Sequence, residues 1–246
     1  MKKEARMKAV VLLSGGLDSC VAATIAKRKY GKILALTFLY GQSHARELQS
    51  AKKIAWHLKT EEYRTISIDR SLFSKSSLVG MPEDIPQRDI EKIKEEIPST
   101  YVPARNIIFL SYALAYAEDK DADAVFIGAN AIDYSGYPDC RPEFIEAFQR
   151  VADVGTKRGI EGKSVRIEAP LLHMTKAEII KKGIEIKAPL HLTWSCYLGK
   201  EKACGKCDSC LLRLRGFQES GYKDPIEYEH FPDWYREEEL LAFPLP

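Results

Sequence analysis

Three groups of residues have types and spacings that could do chemistry. The first is Ser14-Gly15-Gly16-Leu17-Asp18-Ser19, set between an apolar run and a stretch of helical spacing. Two glycines permit a tight turn and the close approach of an anion. The amides opening the next helix, together with its dipole, favour a phosphate there. Ser14 and Ser19 add hydroxyls. Asp18 would repel phosphate unless a divalent cation lay between them. The plainer alternative is a Gly-Gly turn in which Asp18 and Ser19 serve only as helix caps.

The second group is Cys196, Cys204, Cys207 and Cys210, four of the chain's six cysteines within fifteen residues. Four thiolates at this spacing can close a tetrahedral site, for which zinc is the usual occupant, one per chain. An iron–sulfur cluster takes the same ligands. Four protein ligands leave no open coordination position, so the metal is expected to be structural. Cys20 is expected to pack as a small hydrophobe.

The third group lies in the loop Ala129–Arg141. Tyr134 and Tyr137 could stack on a flat heterocycle, and Asp133 and Asp139 could accept hydrogen bonds from a guanine-like ring. Arg141 could pair with a carboxylate or phosphate. An ordinary turn-rich loop is the alternative. Cys140, inside this loop, reads as a packing residue.

The elements that must position these groups alternate. Lys8–Leu13 reads as a buried strand, Leu17–Lys29 as a helix closed by Gly31, Lys32–Tyr40 as a strand, Ser43–Lys59 as a helix and Tyr63–Ile68 as a strand. This order predicts a parallel sheet with helices on both faces. Pro82, Pro86, Pro98 and Pro103 interrupt residues 70–104, read as a surface insertion with one polar helix between Gln87 and Glu96. A helix over Arg105–Lys120, a strand over Ala124–Ile127, a helix from Pro142 to Thr156, a strand over Val165–Ala169 and a helix over Thr175–Ile186 follow. The last predicted helix spans Ser209–Glu219. Residues 1–190 are expected to form the main domain, 191–220 a cysteine region and 221–246 a tail.

Composition excludes several classes. The chain has 246 residues, 45% hydrophobic and 29% charged, with net charge +2. These values fit an ordinary globular protein with a sizeable core, not a disordered chain or a coiled coil. No basic field advertises direct nucleic-acid binding. Apolar runs near the start are too short for a secretory signal or a membrane span, so a cytoplasmic location is expected.

With these residues in view, Val10 to Ser19 resembles the pyrophosphate loop (SGGxDS) of the N-type ATP pyrophosphatases, and it lacks the Gly-Lys-Ser/Thr ending of a Walker loop. More of the chain is similar to the 7-cyano-7-deazaguanine synthase family. The matching stretches are Leu12–Ser19, Tyr40-Gly41-Gln42 with His44 and Glu47, Val102–Asn106, Gly128–Phe144, Pro170-Leu171 with Lys176, and Thr193-Trp194-Ser195-Cys196 through Cys210. They cover about residues 8 to 220; the tail departs from the pattern.

The resemblance implies a Rossmann-like fold of the adenine-nucleotide alpha-hydrolase type. It implies a ligase converting 7-carboxy-7-deazaguanine and ammonia, with ATP and Mg²⁺, into the nitrile used for queuosine or archaeosine. The acid would be adenylated, aminated to an amide, adenylated again and dehydrated. Leu12, Leu13, Ser14, Gly15, Gly16, Leu17, Asp18, Ser19 and Lys176 would hold ATP, with Asp18 and Lys176 catalytic. Arg105, Asp133, Tyr134, Tyr137, Asp139 and Arg141 would hold the second substrate. A homodimer is a further expectation from the resemblance. Because 246 residues leave no room for a glutaminase module, free ammonia or a separate donor would supply nitrogen. Two rival readings are a tRNA thiolase sharing the loop and a non-catalytic zinc-ribbon nucleotide-binding module. Clustered thiols held by metal argue against the first, and Asp18 in an ATP-type loop against the second.

Overall fold

The computed structural model describes residues 7–41, 45–73, 76–79, 100–132 and 137–245. The expected helix between Gln87 and Glu96 lies outside them, as do His44, Asp133 and Tyr134. Five parallel strands form one sheet in the order β3-β2-β1-β4-β5. They are β1 (Lys8–Leu12), β2 (Lys32–Leu39), β3 (Glu62–Ser67), β4 (Ala124–Phe126) and β5 (Arg166–Glu168). Between and after them run α1 (Leu17–Tyr30), α2 (Ala45–His57), α3 (Arg105–Asp119), α4 (Pro142–Gly155), the single turn α5 (Lys157–Ile160), α6 (Lys176–Glu185) and α7 (Asp208–Ser220).

The layers follow from strand alternation. Ala9, Val11, Ile33 and Ala35 point into one core with residues of α1, α2, α6 and α7. Val10, Leu12, Leu34 and Leu36 point into the other with α3 and α4. A central parallel strand must be apolar on both faces, and β1 is buried almost throughout. A third cluster joins Trp194, the four cysteines, Leu214, Tyr228 and Tyr235. The tail after α7 is thus packed onto the cysteine region. Ala203 N donates to Glu227 O at 2.9 Å, and Glu229 N to Ala203 O at 2.7 Å.

Strand order reverses direction at β1. The chain runs outward through β2 and β3, then crosses to β4 on the other side of β1. Connections leaving β1 and β4 diverge there and open a crevice at the strand ends, the usual ligand position in such sheets. The loop beginning at Ser14 follows β1 and the loop through Asn130 follows β4, so both border that crevice.

Candidate active site and metal centre

The β1–α1 turn is shaped by close approach. Gly15 has φ +98°, and a Cβ there would lie 2.2 Å from the Glu47 carbonyl oxygen. The N-cap of α1 is Gly16, with no side-chain cap. Ser14 and Ser19 are engaged with the loop instead: their hydroxyls lie 3.0 Å apart, and Gly16 N donates to Ser14 Oγ at 3.2 Å. The capping alternative for Asp18 and Ser19 therefore does not describe this turn. Leu12, Leu13, Ser14, Gly16, Leu17, Asp18 and Ser19 all line the crevice.

Lys176 is the first residue of α6, which starts with a Thr175–Glu178 capping box. Its side chain is not solvated. It is buried, and Nζ reaches both Asp18 oxygens at 2.7 and 2.8 Å. Gly216 of α7 makes room for it: a Cβ at that position would meet Lys176 Cγ at 2.2 Å. Two helix N-termini thus converge, with an acid from one paired to a base from the other.

On the opposite wall, Arg105 Nη1 donates to Tyr40 Oη at 3.2 Å. Tyr137 also lines the crevice; its hydroxyl lies 2.9 Å from Thr100 Oγ1, and its ring tilts against Tyr101 at 5.8 Å. Asp139 is buried outside the crevice lining and accepts from Asn106 N at 3.0 Å, binding the start of α3. Arg141 is the exposed N-cap residue of α4, also outside the lining. Of the residues assigned to the second substrate, the described wall therefore brings together Arg105 and Tyr137. Asp139 supports that wall through Asn106, and Arg141 lies at the surface. Burial pushes the Cys140 thiol up to about 11. It is protonated at neutral pH, as suits a packing residue.

Glu47 and Trp194 are among the further residues that line the crevice. Glu47 lies on α2, and burial pushes its carboxyl up to about 7 although the Arg105 guanidinium opposes the shift. A carboxyl titrating near neutrality can accept and return a proton. The Trp194 amide donates to Gly15 O at 2.9 Å, and the Arg46 guanidinium sits 4.1 Å from its ring centre. The only sequence signal for either residue was its place inside a matching stretch.

The four clustered cysteines are buried, free of disulfides, and their sulfurs lie within 4.8 Å of one another. A tetrahedral zinc site with Zn–S of about 2.3 Å has sulfur–sulfur edges of about 3.8 Å; Cys204 and Cys210 stand 3.9 Å apart. Amides of Lys206 and Cys207 point at Cys204 Sγ, both at 3.4 Å. Hydrogen bonds from the Cys196, Cys207 and Cys210 thiols hold the Cys204 thiol far below its ordinary range. The donor set fits a structural metal.

Fold and site together define a class: a parallel α/β enzyme with a glycine loop at its strand switch point and a closed four-thiol cluster beside it. The family model described as Queuosine biosynthesis protein QueC matches residues 8–221, and the chain belongs to that family. The 7-cyano-7-deazaguanine synthase of Acetivibrio thermocellus is 55% identical over 90% of this chain and 97% of its own. The 7-cyano-7-deazaguanine synthase of Thermoplasma acidophilum is 50% identical over 94% of this chain and 96% of its own. Among solved structures, the NMN synthetase of Francisella tularensis overlaps 89% of this chain and 79% of its own at TM-score 0.45 and 18% identity, too distant to carry an argument. Among the described residues, no helix is long and apolar enough to cross a membrane.

Proposed function

We propose that this chain is the 7-cyano-7-deazaguanine synthase of its source. It takes 7-carboxy-7-deazaguanine and ammonia, cleaves ATP to AMP and pyrophosphate at each activation, and releases the nitrile. The observation that carries this reading is the convergence of the Ser14–Ser19 loop, Asp18, Lys176 and Arg105 on one crevice. The family membership supplies the substrate class.

The residues divide the work by position. Amides of the uncapped α1 turn, with Ser14 and Ser19, hold the β- and γ-phosphates. Lys176 stabilises charge at the α-phosphate as pyrophosphate leaves, and Asp18 would hold the magnesium that accompanies ATP, which would supply further charge stabilisation there. Both roles require their ion pair to open or to be bridged when nucleotide enters. Arg105, already in a pocket with Tyr40 and Tyr137, receives the carboxylate of the acid. A carboxylate is a poor electrophile, and adenylation gives it AMP as leaving group. Ammonia attacks, and the resulting amide is adenylated on oxygen in its turn. The O-adenylated amide gives up one N–H proton, and loss of AMP with the second leaves the nitrile. Glu47 is placed to take a proton at each nitrogen step. Zinc is the metal we assign to Cys196, Cys204, Cys207 and Cys210; when bound it cross-links the region carrying Trp194 and takes no part in the reaction.

Incubating the zinc-loaded chain with 7-carboxy-7-deazaguanine, ammonium, Mg²⁺ and ATP should give a nitrile by mass spectrometry, with AMP and pyrophosphate. AMP no higher than in the acid-free control would refute the ligase reading. Sulfur entering tRNA in a parallel incubation with a sulfur donor would favour a thiolase, and nucleotide binding without turnover a binding module.

A further inference from the structure

The strap Thr193-Trp194-Ser195 connects the crevice to the cysteine region, and it is held from both sides. In its middle, Trp194 N donates to Gly15 O at 2.9 Å. At its flanks, Arg213 Nη1 of α7 donates to Thr193 Oγ1 at 2.8 Å and Ser195 Oγ at 3.2 Å. Thr193 Oγ1 in turn donates to Leu190 O at 2.6 Å. The other edge of the same guanidinium is bidentate to Asp224, Nε to Oδ2 at 2.6 Å and Nη2 to Oδ1 at 2.9 Å. Their side chains are 2% and 1% exposed. Asp224 is itself fixed by Tyr228 Oη at 2.7 Å and Ile226 N at 3.2 Å.

A buried ion pair is a poor route to stability, because desolvation of both charges offsets their attraction, while its directional bonds define a geometry. Here the geometry ends on the pyrophosphate loop. Asp224 lies just beyond residue 221, the last residue that the family model matches, and within the stretch similar to the Thermoplasma acidophilum relative. We propose that Arg213 and Asp224 are positioning residues: the tail carboxylate orients the Arg213 fork, which holds the Thr193–Ser195 strap so that Trp194 fixes Gly15 and the phosphate-binding amides behind it. This inference rests on the reading of that loop as the ATP site. It assigns the tail a task in nucleotide binding that its sequence does not suggest. Small misplacements of binding groups cost large factors in rate and affinity, so the link should be visible in the handling of ATP.

The test compares the full zinc-loaded chain with Asp224→Asn and Thr193→Val. Asp224→Asn removes the charge that orients Arg213, whereas Thr193→Val keeps the ion pair and removes the Thr193 hydroxyl, with its bonds to Arg213 and to Leu190 O. Magnesium–ATP Kd from titration calorimetry and ATP KM for AMP release are the readouts, with zinc content as control. Asp224→Asn should raise both ATP constants about tenfold with zinc still at one per chain and the KM for the acid changed less than twofold. Thr193→Val should raise them about threefold. A merely structural pair would lower the amount of folded enzyme and leave both ATP constants alone; constants within twofold of the parent would overturn the proposal. Should Asp224→Asn fail to fold, unchanged constants in Thr193→Val do the same. If the parent binds ATP but forms no AMP with the acid, the substrate reading fails and calorimetry still decides the link; if it does not bind ATP, the loop reading fails first.

Discussion

The Ser14–Ser19 loop and the Cys196–Cys210 cluster are built from similar materials and left in opposite states. Each turns on a glycine with positive φ pressed against a carbonyl: Gly15 against Glu47 O, and Gly205 against His230 O, where an added Cβ would lie 1.8 Å away. In the cluster every sulfur faces the other three, and the tail covers the outside. In the loop the serines meet each other, the helix start lacks a side-chain cap, and the surface faces a crevice. The closed arrangement satisfies its ligands internally and holds structure. The open one leaves its polar groups facing the crevice, where we propose that the nucleotide binds.

Breaking the closed side should have the largest effect. Cys207→Ser should lose about one zinc per chain by elemental analysis and most of the folded stability, since structural zinc carries on the order of 10 kcal/mol of metal-coupled folding. Full zinc content with an unchanged melting temperature would dissolve the contrast. On the open side, Asp18→Asn should leave a folded chain, because the amide oxygen still accepts from Lys176, and should cut AMP formation about 100-fold or more. Circular dichroism and an AMP assay check both halves together.

Gly15→Ala should cost about 2 kcal/mol or more in denaturant unfolding, from its left-handed backbone and the Glu47 carbonyl in the way. It should also weaken ATP binding. A stability unchanged by this substitution would mean the loop is looser than its contacts imply. The smallest effect concerns Glu47. Its folded pKa, about 7, lies above its ordinary 4.5, so the folded chain binds the extra proton. Its contribution to stability therefore falls as pH rises from the unfolded value through the folded one. Glu47→Gln should flatten the loss of stability between pH 5 and pH 8 in urea titrations. It should also flatten the AMP-formation profile near pH 7. A profile identical to the parent's would take the proton-accepting task away from Glu47.

Much of this was legible from local pattern. The apolar run Val10–Leu13 ending at Gly15-Gly16 marks a central strand and its tight turn because a buried parallel strand and a close backbone approach each have few chemical solutions. The spacing from Cys196 to Cys210 marks a ligand set for the same reason. Helix and strand bounds read from periodicity differ from the structure by one or two residues at most described ends, where capping groups rather than periodicity set the stop.

What the tertiary structure alone decided are encounters between residues far apart in the chain. Lys176 looks like a solvent-facing helix residue from its neighbours, yet it pairs with Asp18 across 158 positions. Asp139 looks like a ligand-binding acid and instead secures the start of α3, while Asp224, in a tail with no motif, meets Arg213 in the interior. Local sequence determines turns, faces and ligand spacing because those depend on bonded geometry. Which buried charge finds which partner depends on how helices and loops pack, and packing is settled only when the whole core closes.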